Sequence, residues 1–127
     1  MAYLATVEPD TPVSATQVAA HLHASPSYLS KVLQSLAKSA LINSVRGAKG
    51  GFSLAKKPSE INLLQVVHAV VGPFSEDSCL LGKRICEPGD CKLGALRQKV
   101  TGLVERELGE MTLSRFVRQS GSPGTPR

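Results

Sequence analysis

The sequence predicts a mainly α-helical fold with one small β-hairpin, and three observations carry that prediction. Two short amphipathic helices, each with its own start signal, are separated by only His23 and Ala24. Two β-prone runs around a glycine-rich tip follow at once. From Lys92 to about Met111, apolar residues then recur at helical spacing. In that order the parts make a winged helix-turn-helix followed by a long C-terminal helix.

The chain has 127 residues, about the size of one domain. With no Trp, two Tyr and three Phe, its core must rest on Leu, Val, Ile and Ala. Met1–Thr6 reads as the end of a helix whose beginning is absent, and Glu8–Pro12 as a turn. Ser14 opens the next helix with Gln17 at capping-box spacing, and Val18, Ala19 and Leu22 form its apolar face. His21 and His23, near its end, suit a surface or helix-dipole role better than a ligand role. Ser25-Pro26 starts the following helix, with Ser at the N-cap and Pro at the first helical position. Leu29, Val32, Leu33 and Leu36 are its buried stripe.

Leu41–Arg46 and Phe52–Leu54 flank Gly47-Ala48-Lys49-Gly50-Gly51, a hairpin whose glycines permit positive φ and close backbone approach. Asn62 and Gln65 repeat the capping-box spacing before the apolar run Leu63–Val71, which stops at Gly72-Pro73. His68, inside that run, reads as a satisfied core or interface histidine. Leu93, Leu96, Val100, Leu103, Val104, Leu108 and Met111 form the stripe of the long helix. Gly94, Gly102 and Gly109 each weaken it by about 1 kcal/mol relative to Ala, so it needs a packing partner. Thr112 caps a last short helix bearing Leu113, Phe116 and Val117. This divides the chain into a winged helix-turn-helix over 1–72, a cysteine loop over 73–91, the two last helices over 92–118, and a tail over 119–127 that is disordered by composition.

Charge is distributed unevenly. Residues 1–23 carry two acids and no Lys or Arg, whereas 24–57 carry six basic residues and no acid. Residues 58–127 hold nine basic and eight acidic side chains, for a total of +5. The excess therefore lies in one block over the helix-turn-helix and hairpin, the footprint of a polyanion-binding surface. Ser25, Ser27, Tyr28 and Lys31 open the second helix off its buried stripe, where a recognition helix meets base edges and phosphates. Arg46, Lys49 and Gly50 at the wing suit phosphates or a narrow minor groove. No apolar run approaches the roughly 18 residues of a membrane span, the N-terminus lacks a basic-then-apolar signal pattern, and no nucleophile–base pair or paired carboxylate stands out. A cytoplasmic, non-enzymatic protein without a membrane partner is expected.

Cys79, Cys86 and Cys91 are the only cysteines. Their odd number and close spacing leave at least one thiol outside any internal disulfide. Thiolates favour zinc, Cu(I) or iron–sulfur iron, and Lys83-Arg84 would favour the thiolate form. The gaps of six and four residues differ from the paired spacing of a zinc ribbon. Iron–sulfur binding is the leading reading, of 2Fe–2S or 4Fe–4S type; thiol oxidation, a structural zinc or inert cysteines are the alternatives. A four-coordinate site would lack one ligand, for which Asp77, Glu87, Asp90, His68, a partner residue or a small molecule are candidates.

The run Ala24-Ser25-Pro26-Ser27-Tyr28-Leu29-Ser30-Lys31-Val32-Leu33 and the phrase Val45-Arg46-Gly47-Ala48-Lys49-Gly50-Gly51-Phe52 resemble the IscR/NsrR-type family of bacterial winged-helix transcription regulators. So does Glu60–Val67, and the resemblance spans about residues 1–118. It implies a homodimer on palindromic promoter DNA, more often a repressor, with Leu96, Val100, Leu103, Val104 and Leu108 of the long helix as dimer element. It also implies that Cys79, Cys86 and Cys91 hold an iron–sulfur cluster whose state, set by redox, nitric oxide or iron–sulfur supply, alters DNA binding. The assembly-regulator subtype has a His three residues after the last cysteine, where this chain has Gly94. Family members usually carry about a dozen further N-terminal residues, the source of the non-cysteine ligand in the nitric-oxide-sensing subtype. The rivals are a cluster-free regulator responding to thiol oxidation or a small ligand, and an interaction dimer that binds no DNA.

Overall fold

The computed structural model describes residues 1–8, 10–75, 79, 87 and 91–120. Cys86, Asp77, Asp90, the Lys83-Arg84 pair and the tail from 121 on lie outside the described residues. Eight named elements follow in order: α1 (Ala2–Thr6), α2 (Ala15–Leu22), α3 (Pro26–Lys38), β1 (Ile42–Val45), β2 (Gly51–Leu54), α4 (Leu63–Val71), α5 (Gly94–Glu110) and α6 (Leu113–Gln119), with a 3₁₀ turn at Pro58–Glu60. The fold is mainly α with a two-stranded antiparallel hairpin, as the sequence predicts.

Side-chain caps set most of the helix starts. The Gln17 amide donates to Ser14 Oγ at 3.1 Å, and the Ser14 amide to Gln17 Oε1 at 2.9 Å. Asn62 and Gln65 make the same reciprocal pair at 2.9 and 3.1 Å, and the Arg115 amide donates to Thr112 Oγ1 at 3.3 Å. Each pair satisfies amides that have no partner inside the helix. Ser25 differs from expectation: its hydroxyl makes no cap bond and lies 3.3 Å from Ser27 Oγ instead. The first amides of α3 are therefore left uncapped by side chains. His23 takes a left-handed φ of 52°, which turns the chain from α2 into α3 within three residues.

Leu29, Leu33 and Leu36 of α3 form the centre of the core against Val18 and Ala19 of α2. Val32 is half-buried at its edge, and Leu22, expected on the buried face of α2, is 39% exposed. Leu41 and Ile42 enter from the hairpin, Ile61 and Leu113 from the two chain segments beyond it. In the hairpin, Ile42 pairs with Leu54 and Val45 with Gly51. A single residue from outside extends the sheet: the Val13 amide donates to the Phe52 carbonyl at 2.9 Å, and the Phe52 amide to the Val13 carbonyl at 2.8 Å. Gly51 makes this possible, because a Cβ there would lie 2.5 Å from the Val13 carbonyl oxygen.

A second backbone junction ties the C-terminal part to the winged helix. The Leu63 amide donates to the Met111 carbonyl at 2.9 Å and the Leu113 amide to the Ile61 carbonyl at 2.7 Å, so the N-caps Asn62 and Thr112 sit side by side. Ile61 and Leu113 are among the most buried side chains, at 0% and 1% exposure. From this junction α6 packs on α1 and the 3₁₀ turn, while α5 packs on α4, which in turn packs on α3. No described helix is long and apolar enough to cross a membrane.

Candidate nucleic-acid interface and thiol site

α3 buries one face and presents the other, so its first two turns project Ser25, Ser27, Tyr28 and Lys31 into solvent. Tyr28 is 64% exposed, unusual for a large ring without a partner. The wing adds Arg46 and Lys49, both exposed, and Gly50, whose amide closes the tip by donating to the Gly47 carbonyl at 3.0 Å. Among the described residues, none of Tyr28, Lys31, Arg46 and Lys49 is held in a side-chain hydrogen bond or ion pair. These donors are therefore available to an outside acceptor. The structure also divides the basic block: Lys56 and Lys57 stand beyond the base of β2 rather than at the wing tip.

Of the expected thiols, Cys79 is half-buried and Cys91 exposed, and both are free. Cys91 packs at the entry to α5. Its carbonyl accepts from the Gly94 amide at 3.0 Å, and a Cβ on Gly94 would lie 3.6 Å from the Cys91 Cβ. Position 94 thus brings a side chain beside Cys91, and here it supplies no donor. Arg97 Nη1 donates to the Ser75 carbonyl at 3.2 Å, which ties the start of the cysteine segment to the first turn of α5. Unpaired thiols of this kind fit soft iron or zinc chemistry. Among the described residues, no three His, Cys, Asp or Glu side chains gather as a metal site.

His68, expected as a satisfied core or interface histidine, is not satisfied within the described core. Among the described residues its buried Nε2 has no hydrogen-bond partner, and its ring meets Phe74 edge-on at 5.7 Å. The first turn of α4 packs at Gly109, where a Cβ would lie 3.8 Å from Leu64 Cδ2, at the opposite end of α5 from Cys91. On α5, Leu96, Val100, Leu103 and Val104 are 53%, 48%, 50% and 37% exposed, and Leu108 is half-buried. Among the described residues, nothing covers this apolar stripe. Sequence reasoning missed the Val13 bridge, signalled only by Gly51, and the stacking of Tyr3 on His21 at 4.2 Å, for which the sequence carries no sign.

A helix-turn-helix with a β-wing, extended by one long helix, defines a winged-helix regulator. The chain belongs to the Rrf2 family, described as iron-dependent transcriptional regulators, whose profile matches residues 1–119. It is 32% identical over 107 residues to the HTH-type transcriptional regulator IscR of Photorhabdus laumondii, covering 84% of this chain and 65% of that one. The chain thus spans just under two thirds of the length of that relative. Among solved structures it resembles CymR (YrzC), the global cysteine regulator of B. subtilis, with a TM-score of 0.72 at 24% identity over 94% of this chain and 88% of that one. It also resembles the oxidized form of Staphylococcus aureus CymR, with a TM-score of 0.69 at 27% identity, covering 91% and 85%. The family is one of DNA-binding transcription regulators.

Proposed function

We propose that this protein is a homodimeric, cytoplasmic repressor that grips promoter DNA with α3 and the wing, and that a thiol-held iron–sulfur cluster sets the strength of that grip. The observation that carries the DNA reading is the set of uncommitted donors, Tyr28, Lys31, Arg46 and Lys49, inside a stretch of 34 residues with no carboxylate. The uncapped first turn of α3 adds backbone amides and the positive end of a helix dipole, which favour a phosphate. Ser25, Ser27 and Gly50 complete the contact surface. The exposed stripe of α5, with Leu96, Val100, Leu103, Val104 and Leu108, is the dimer element.

Cys79, Cys86 and Cys91 would hold the cluster, which when bound supplies a redox- and nitric-oxide-reactive iron centre. The chain's own part is to keep Cys79 and Cys91 unpaired and to attach Cys91 to the end of the dimer helix. Anaerobic purification with visible spectrum and iron and sulfide analysis tests this. The expected result is a coloured protein that loses iron on Cys91→Ser. A colourless, iron-free protein from iron-replete anaerobic cells would overturn the cluster assignment. A second reading, control by thiol oxidation without a cluster, is favoured by the exposure of Cys91 and by the likeness to Staphylococcus aureus CymR, solved in an oxidized form.

A further inference from the structure

Two cations of the acid-free block are not placed to meet DNA with the others. Lys56 and Lys57 follow β2 at the base of the hairpin, and β2 alone spans about 13 Å from the tip. Instead they line a cavity of about 400 Å³ formed with the end of α1 and the turn after it. That volume is at the lower end of the range for small-molecule sites. Leu4 and Val7 give the cavity apolar wall, and Glu8 and Asp10 bring carboxylates from the turn.

The charges are arranged without being spent on one another. Among the described residues, neither Glu8 nor Asp10 forms an ion pair with Lys56, Lys57 or any other cation. Glu60, also at the cavity, is engaged, accepting from the Lys57 amide at 3.1 Å. Asp10 holds a left-handed φ of 65°, a conformation that costs on the order of 1 kcal/mol outside glycine. Apolar wall, unpaired carboxylates from one element and unpaired ammonium groups from another describe the complement of a small zwitterion with a hydrocarbon body.

We infer that this cavity binds a free α-amino acid with an aliphatic side chain. Its ammonium group faces Glu8 and Asp10, its carboxylate faces Lys56 and Lys57, and its side chain lies against Leu4 and Val7. The four charged side chains are exposed, so solvent screening keeps the affinity modest. The site adjoins the segment that leads into the Val13–Phe52 bridge, and so lies at the anchored base of the wing.

The test is an amide-resolved NMR titration of the full chain with L-leucine, with isovalerate and with isopentylamine. L-Leucine is expected to shift the amides of Leu4, Val7, Ala55 and Lys57 with a dissociation constant in roughly the millimolar range. The two fragments, each lacking one charge, are expected to bind about tenfold more weakly or worse. Lys56→Ala with Lys57→Ala, and separately Glu8→Gln with Asp10→Asn, should each weaken L-leucine at least about fivefold while leaving the remaining spectrum unchanged. Absence of leucine-dependent shifts at about 10 mM, equal binding of isovalerate, or indifference to both double variants would overturn the inference.

Discussion

Replacing Gly51 with alanine tests how the wing is held. The new Cβ would lie 2.5 Å from the Val13 carbonyl oxygen and 2.6 Å from its carbon. Both are backbone atoms, so no rotamer change relieves the clash, and the segment at Val13 has to move away from β2. That movement breaks the two bonds between Val13 and Phe52, at 2.9 and 2.8 Å, each contributing about 1 kcal/mol. It also uncovers part of Val13, now 5% exposed, whose full burial stabilises by about 1.5 kcal/mol or more. The expected loss is about 2–4 kcal/mol, a large share of the roughly 5–15 kcal/mol that holds a domain folded. Urea denaturation followed by circular dichroism measures it, with Gly47→Ala as the control. Gly47 has a φ of 116° with nothing within 4 Å of its would-be Cβ, so alanine there adds only backbone strain. If the two variants lose equal stability, or Gly51→Ala loses less than about 1 kcal/mol, the bridge does not anchor the wing.

Three further outcomes follow from the same coordinates. Tyr28→Ala and Arg46→Ala should each weaken binding to a selected operator duplex by roughly five- to thirtyfold, and Lys49→Ala should lower the salt slope by about one; fluorescence anisotropy at several salt concentrations reads both, and unchanged binding in all three would move the interface elsewhere. Val104→Asp should convert a dimer to monomers in sedimentation velocity, because it places a charge in the apolar stripe of α5; a variant that remains dimeric would place the interface on another face. His68→Leu should be neutral or raise stability by about 1 kcal/mol, since it removes a buried nitrogen that has no partner; a loss above about 1 kcal/mol would show that Nε2 is satisfied in solution.

The helix starts were legible because the signals are local. A Ser or Asn with Gln three residues on can satisfy two amides without help from the rest of the chain, and both such boxes are present in the fold. The buried stripe of α3 was legible for the same reason, since leucines at helical spacing define a face before any partner is known. Ser25 failed as a cap because its hydroxyl found Ser27, a competition between equal neighbours that spacing does not rank. The Val13 bridge and the Ile61–Leu113 junction join segments far apart in sequence. One glycine marked the first, and the second rests on backbone groups that any residue carries. Charge was legible as a total and misleading as a surface: the acid-free block looks uniform in sequence, yet hairpin geometry separates Lys56 and Lys57 from Arg46 and Lys49. Exposed donors at Ser27, Tyr28 and Lys31 needed only the phase of one helix, and that phase was readable.

The way the last helices attach limits how the cysteines can reach the DNA-facing surface. α5 is 17 residues long, about 25 Å, and its C-terminal end is tied to the winged helix by the backbone bonds around Met111 and Leu113. Cys91 sits at the other end, where Arg97 donates to the Ser75 carbonyl at 3.2 Å. α4 is the element that packs on both α5 and α3. Within one protomer, the packed route from Cys91 to α3 runs along α5 and across α4. The anchored end resists translation, because moving it would break the junction that buries Ile61 and Leu113. The exposed stripe from Leu96 to Val104 lies between Cys91 and that junction. On the proposed dimer, with a second copy held on that stripe, thiol chemistry at Cys91 would act beside the dimer contact and away from the DNA-facing surface, so the spacing between two copies of α3 would be the quantity to measure.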